Sequence, residues 1–359
     1  MTVSSAKFRS SSAIAGDRTR RARVVTVALF ILLVIVCLIS LNVGATGTSL
    51  WPALKALLTG QEMSNRHWII LYDIRLPRLI EGILVGAALA VSGAMLQGLF
   101  HNPLADPGLI GVTAGGSLGA VTAIVLGGFL PLGLLSIVGN WLVPTAAFVG
   151  SWIATVLLYF VSTTGGRTSV AVMLLAGLAF SALAGALTGI LIYMADDNQL
   201  RDLTFWGLGS LSGATWTKVG SALPFIVGAL IIAPLLARGL NGLALGEAAA
   251  SHLGIRVQLV KRMAILLVAS AVGASVAVSG GIGFVGIVVP HLLRLGIGPD
   301  HRYLIIASGM LGAIMLTGAD MVARVIVAPA ELPIGIVTAI VGGPFFFYIL
   351  LRNRSVLDV

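Results

Sequence analysis

Few residues in this chain are placed to make or break bonds. A nucleophile needs a base within hydrogen-bond reach, and Ser92 and His101, on one apolar stretch, lie about nine residues or ~13 Å apart along a helix. Cys37 is the only cysteine, so one chain forms neither a disulfide nor a cysteine-based metal site. His67, His101, His252, His291 and His301 all fall outside the apolar stretches or at their ends. A resident heme would need an axial His, Cys, Met or Tyr; only Tyr193 and Met194, late in one stretch, are placed to ligate, and helix packing is their other use. No segment has the G-x-x-x-x-G-K-[ST] pattern that cradles nucleotide phosphates. The expectation is therefore no catalytic residue, no metal and no bound cofactor. What remains is recognition of charge, and Arg75, Arg78, Arg201 and Arg324 are the residues to place.

The elements that carry them are set by composition. The chain has 359 residues, 58% of them hydrophobic and only 10% charged, more apolar surface than one water-soluble core can hide. At about 20 apolar residues per crossing, the sequence predicts an all-α polytopic membrane protein of about ten helices. They are read at 24–45, 78–100, 108–128, 141–162, 170–194, 219–238, 260–279, 282–295, 303–318 and 333–351. The 45 glycines then read as surfaces where helix backbones approach closely. Residues 1–23 read as a disordered, basic, Ser-rich cytoplasmic tail, 24–352 as the membrane domain and 353–359 as a cytoplasmic C-terminal end. The net charge of +9 is scattered in short groups between apolar runs, which fits orientation in a membrane and excludes a nucleic-acid-binding domain.

An even number of crossings puts both termini on one side, and the basic-loop rule makes that side cytoplasmic. Arg66, Arg75, Arg78, Arg201 and Arg324, with Lys55 and Lys218, are exceptions to the rule, which makes them candidates for function. Glu81 falls near the outer end of the second span and Asp320 just beyond the ninth, so no acid occupies a helix centre. That argues against an ion-coupled secondary carrier, the alternative of a different class. An internal echo, VGAALAVSG (85–93) against VGASVAVSG (272–280), fits a duplicated transporter with its repeats parallel or inverted, or two helices alike only in composition. The longest inner connection, 238–261, contains a helix-prone segment with an apolar face at Leu243, Leu245, Ala249 and Leu253. It can dock a motor subunit or lie at the membrane surface.

Five ordered blocks then carry a resemblance. RLPRLIEGILVGAALAVSGAMLQGLFHNPLADPGLIGVTAGG (75–116), LALGEAAASHLGI (243–255), GGIGFVGIVVPHLLRLGIGPDHR (280–302), GADMVAR (318–324) and AELPIGIVTAIVGGPFF (330–346) resemble the iron-siderophore, heme and cobalamin permease family of ABC importers. The resemblance implies the type II importer permease fold in a bacterial inner membrane. It also implies a homodimer, two cytoplasmic ATPase subunits and one periplasmic substrate-binding protein. By the same resemblance Arg75, Arg78 and Arg324 dock acidic residues of the binding protein. The coupling helices fall at about 241–256, with Leu245, Gly246, Glu247, His252, Leu253 and Gly254 at the ATPase. The resemblance also makes Thr168 and Ser169, in the GGRTS connection, the candidates for the cytoplasmic gate.

The stretch QLRDLTFWGLGSL (199–211) resembles the heme branch of the family more than the siderophore or cobalamin branches. Heme is thus the expected cargo, with a ferric siderophore or cobalamin as the alternatives. Arg201 can pair with a propionate while Phe205 and Trp206 stack on the porphyrin, with Tyr193 nearby on the pathway. Arg201 can equally pair with Asp197 or Asp202 to hold its own loop.

Overall fold

The computed structural model describes residues 18–44, 59, 64–328 and 330–352. Most of the basic tail, most of the first outer loop and the polar end at 353–359 therefore lie outside the described residues. All ten apolar stretches are helical. Helix α1 (Thr19–Asn42) starts inside the segment read as tail, because nothing in TRRARVV interrupts a helix and arginine is a good helix former.

Helix α2 (Asn65–Leu99) includes a π-helical segment, Ile69–Arg75, and starts well before position 78, where the apolar pattern begins. Then follow α3 (Val112–Leu126), α4 (Leu132–Ser162), α5 (Val170–Met194), the short α6 (Asp197–Gly207) and α7 (Trp216–Leu243). After them come α8 (Glu247–His252), α9 (Val257–Ser279), α10 (Val285–Ile297), α11 (His301–Val325) and α12 (Ile334–Arg352). Eight of these helices are long and apolar enough to cross a membrane; α10 and α12 are shorter apolar helices. Prolines 144, 224, 290 and 344 lie inside helices, which membrane bundles tolerate because neighbouring groups re-satisfy the backbone.

The core is built on α2 and α9, whose most apolar windows are 89% and 78% buried, against 6% for α1 and 17% for α5. Helices α2 and α11 cross where a Cβ on Gly86 would overlap the Gly312 carbonyl, and one on Gly312 the Gly86 carbonyl. Only glycine at both positions permits that approach. The C-terminal end of α2 meets the end of α7 through His101 and the Leu243 carbonyl. The start of α9 packs there too, with Val260 against Gly239. The two echoing segments therefore run in opposite directions, which a parallel repeat would not give.

The two ends of the bundle differ. At one, Arg75, Arg78 and Arg324 gather; at the other, residues 163–168 form a two-stranded hairpin, Thr163 against Thr168 and Thr164 against Arg167. Gly165 and Gly166 turn it with φ of 58° and 76°, the left-handed conformations that a two-residue hairpin turn needs. Both ends of the described chain fall at the hairpin end.

Candidate functional site

The arginine end is a buried charge cluster and not an open rim. Arg75, Arg78 and Arg324 are 5%, 6% and 7% exposed. Arg78 forks between two carboxylates: its Nη2 and Nε donate to Asp320 Oδ1 at 2.8 and 3.0 Å, and its Nη1 donates to Glu331 Oε1 and Oε2 at 2.8 and 2.9 Å. Arg324 Nη2 reaches the other oxygen of Asp320 at 3.0 Å. The end of α1 supplies further acceptors, as the terminal carbonyls of a helix lack intrahelical partners. Arg75 donates to the Leu41 carbonyl, and Arg324 donates to Ser40 Oγ at 2.8 Å and the Val43 carbonyl at 3.2 Å.

Two differences from the sequence reading follow. Helix α11 runs on to Val325, so Asp320 lies inside it and not beyond it. His291 sits in the middle of α10, buried and edge-on to Phe345 of α12, and not at an end. Glu81, one turn from Arg78, is buried with neither carboxylate oxygen bonded among the described residues.

At the opposite end α8 projects outward. Gly246 and Gly254 bracket it with φ of 94° and 76°, backbone that other residues rarely adopt. Leu245 and Leu253 are 67% and 60% exposed, and Glu247 and His252 are exposed beside them. Leu243, read as part of the same apolar face, is buried instead, and its carbonyl is the partner of His101.

Behind α8, Lys261 Nζ donates to Glu247 Oε1 at 2.6 Å and to the Thr168 carbonyl at 2.7 Å. Gln258 Oε1 accepts from the Thr168 amide at 3.0 Å. Ser169 caps α5, its hydroxyl accepting from Val172 N. A second polar group fastens α7 to α11. The Asn241 side chain donates to Asp300 Oδ1 at 2.7 Å, and its oxygen accepts from the backbone N and ring Nδ1 of His301 at 2.9 and 2.8 Å. Burial opposes ionisation of Asp300, but hydrogen bonds from Arg302 and Asn241 pull its carboxyl down to about 2.

A basic, buried cluster thus stands at one end, and an exposed short helix with a buried lysine behind it at the other. The profile of the FecCD transport family matches residues 32–352. The chain belongs to the FecCD family of ABC importer permeases. It is 44% identical over 327 residues to the hemin transport system permease protein HmuU of Yersinia pestis, spanning 91% of this chain and 95% of that one. It is 42% identical over 309 residues to the cobalamin import system permease protein BtuC of Halobacterium salinarum, 85% of this chain and 80% of that one. A solved metal-chelate-type ABC transporter in an inward-facing conformation superposes with a TM-score of 0.80 at 31% identity, over 92% of this chain and 99% of that one. The fold of this FecCD permease is thus the type II importer fold.

In this FecCD chain the segment Asp196–Gly207, read only as a connection, is the helix α6. It opens with a capping box in which Asp196 accepts from Gln199 N and the Gln199 side chain accepts from Asp196 N. The D-x-x-Q spacing was a legible start signal. Arg201 and Phe205 share one exposed face, one turn apart, while Trp206 is half-buried against Ala277. Arg201 forms no ion pair with Asp197 or Asp202, and Tyr193, at the end of α5, is 92% exposed. Asp320, Glu331, Lys261 and Gln258 are the site residues that the sequence reading missed as partners.

Proposed function

We propose that this chain moves heme across a bacterial inner membrane as the transmembrane subunit of an ATP-driven importer. The observation that carries the importer architecture is the glycine-bracketed α8, which lifts Leu245, Glu247, His252 and Leu253 out of the fold as a compact knob for an ATPase subunit. The arginine end then faces the periplasm and both termini the cytoplasm, in agreement with the basic-loop rule.

Two copies enclose the pathway between them. This is supported by the exposed apolar flanks of α5 and α12, for example Leu175 at 69% and Phe347 at 68% exposure. Arg75, Arg78 and Arg324 receive an acidic binding protein, whose carboxylates take over guanidinium contacts now made by Glu331. That residue is the accessible member of the cluster, its side chain 39% exposed. Thr168 and Ser169 border the cytoplasmic mouth as the gate. ATP-driven closure of the ATPases re-orients the two copies, and cargo crosses without tight ligation.

Heme is favoured by the exposed Arg201 and Phe205 on one face of α6, a cation beside an aromatic ring at the mouth, together with the 44% identical hemin permease. A ferric siderophore or cobalamin in the same role is the second reading, favoured by the 42% identical cobalamin permease.

The test is uptake into proteoliposomes holding this chain and its ATPase, with heme-loaded binding protein outside and ATP inside. Accumulation of heme that requires ATP, is lost in Arg75→Glu and falls in Arg201→Ala is the expected result. Accumulation of cobalamin or a siderophore but not of heme overturns the cargo. Uptake that an uncoupler abolishes while ATP remains overturns the importer reading.

A further inference from the structure

The hairpin 163–168 and the exposed helix α8 come from distant parts of the chain. Among the described residues, the side-chain hydrogen bonds that reach the hairpin from α9 come from Gln258 and Lys261. Lys261 differs from Gln258 because it also holds α8. Its side chain is 3% exposed, yet its ammonium bonds the Thr168 carbonyl at 2.7 Å and the Glu247 carboxylate at 2.6 Å. Glu247 is 51% exposed and stands at the first residue of α8.

A buried ammonium is stable only while it keeps its counter-charge and its hydrogen-bond acceptors. If a bound partner displaces Glu247, two courses are open to Lys261. It can follow the carboxylate and draw the Thr168 carbonyl with it, or it can stay behind, charged without a counter-ion or neutralised by loss of its proton. The second is the costly one. The geometry favours movement of α8 and the hairpin as one piece, with Gln258 holding the Thr168 amide from the other side of the same peptide chain. At the hairpin tip a Cβ on Gly165 or Gly166 would meet nothing within 4 Å in this chain.

We propose that Lys261 is a positioning residue that transmits displacement of α8 to the hairpin, so that the hairpin's position depends on the partner seated on α8. This rests on the reading of α8 as the ATPase dock and of the hairpin as the gate.

The experiment uses the full complex in nanodiscs, with Cys37→Ser as background and a spin label at Arg167→Cys in both copies. The label-to-label distance is measured with and without ATP and vanadate, beside ATP hydrolysis and cargo uptake. The unsubstituted lysine is expected to give a nucleotide-dependent distance shift, and Lys261→Arg to retain it. Lys261→Met is expected to abolish the shift and to lower cargo moved per ATP hydrolysed by about tenfold, within the range of ordinary coupling energies, with hydrolysis itself nearly unchanged. If Lys261→Met does not assemble, Glu247→Gln keeps an acceptor of the same size and is expected to reduce the shift.

A lysine that only stabilises the fold would lower thermal stability without separating hydrolysis from uptake. An unchanged shift in Lys261→Met, or in Glu247→Gln where Lys261→Met does not assemble, or hydrolysis and uptake falling by one common factor, overturns the proposal. Labels that stay still in the unsubstituted complex while cargo is transported overturn the gate reading as well, which separates the two failures.

Discussion

Arg78 and Asp320, separated by 242 positions in the sequence, meet in a buried two-point contact at 2.8 and 3.0 Å. Asp320 also pairs with Arg324 one turn away at 3.0 Å, so one carboxylate balances two guanidinium groups. Removing one partner of a buried pair strands the other charge. Asp320→Asn is therefore expected to destabilise the folded protein by about 3–5 kcal/mol, read as a fall in the thermal unfolding midpoint in detergent. The double change Arg78→Met with Asp320→Leu also removes the buried Arg78 charge and is expected to cost no more than Asp320→Asn, because both leave Arg324 without its carboxylate and the Glu331 side chain that loses Arg78 is 39% exposed to solvent.

Glu331 is a different kind of partner. It bonds Arg78 as closely as Asp320 does, but its side chain is 39% exposed, against 3% for Asp320. In the proposed docking, it stands where a binding protein's carboxylate is to bind Arg78. Glu331→Gln weakens this internal competitor and is expected to tighten binding of the periplasmic partner, with a faster association rate that diminishes at high salt. Arg75→Glu is expected to weaken the same binding by about tenfold or more. Surface plasmon resonance of the binding protein on nanodisc-embedded permease, at two salt concentrations, reads both.

The helices were legible because a membrane crossing is a long, uniform signal, and the ten stretches needed no knowledge of contacts. The arginines were legible as violations of the charge rule. Their partners were not. Asp320 and Glu331 look like ordinary loop acids until α11 is seen to run to Val325, and α2 was begun late because Asp73 and Arg75 interrupt the apolar pattern inside the π-helical segment. The role of Lys261 was hidden for a similar reason. In the sequence it is only the last residue of the connection 238–261, and only the fold shows that it is buried between Glu247 and Thr168.

Asp300 gives a pH dependence of known sign. Its carboxyl titrates at about 2 in the fold, below the ~3.9 of an unfolded aspartate. A depressed folded value means a stabilising contribution fully present above about pH 4 and lost as pH falls through about 2. Asp300→Asn removes this contribution. The difference in thermal midpoint between the two proteins is expected to be constant from about pH 5 to 8 and to shrink between about pH 4 and 2. A difference that grows on acidification would contradict the hydrogen bonds from Arg302 and Asn241 as its source.

Gly86 and Gly312 test the packing of the core. A Cβ on either would overlap the backbone carbonyl of the other, and a backbone cannot rotate away as a flexible side chain can. Forcing α2 and α11 apart would also disturb the Arg78–Asp320 contact, because the same two helices carry it. Gly86→Ala is expected to cost about 1–3 kcal/mol and to lower the yield of folded protein. Gly228→Ala on α7, where a Cβ meets nothing within 4 Å, is expected to leave both unchanged or slightly improved, alanine being the better helix former. Measured by fluorescence-detected size exclusion before and after heating, equal losses in the two variants would show that the α2–α11 crossing is looser than the structure makes it.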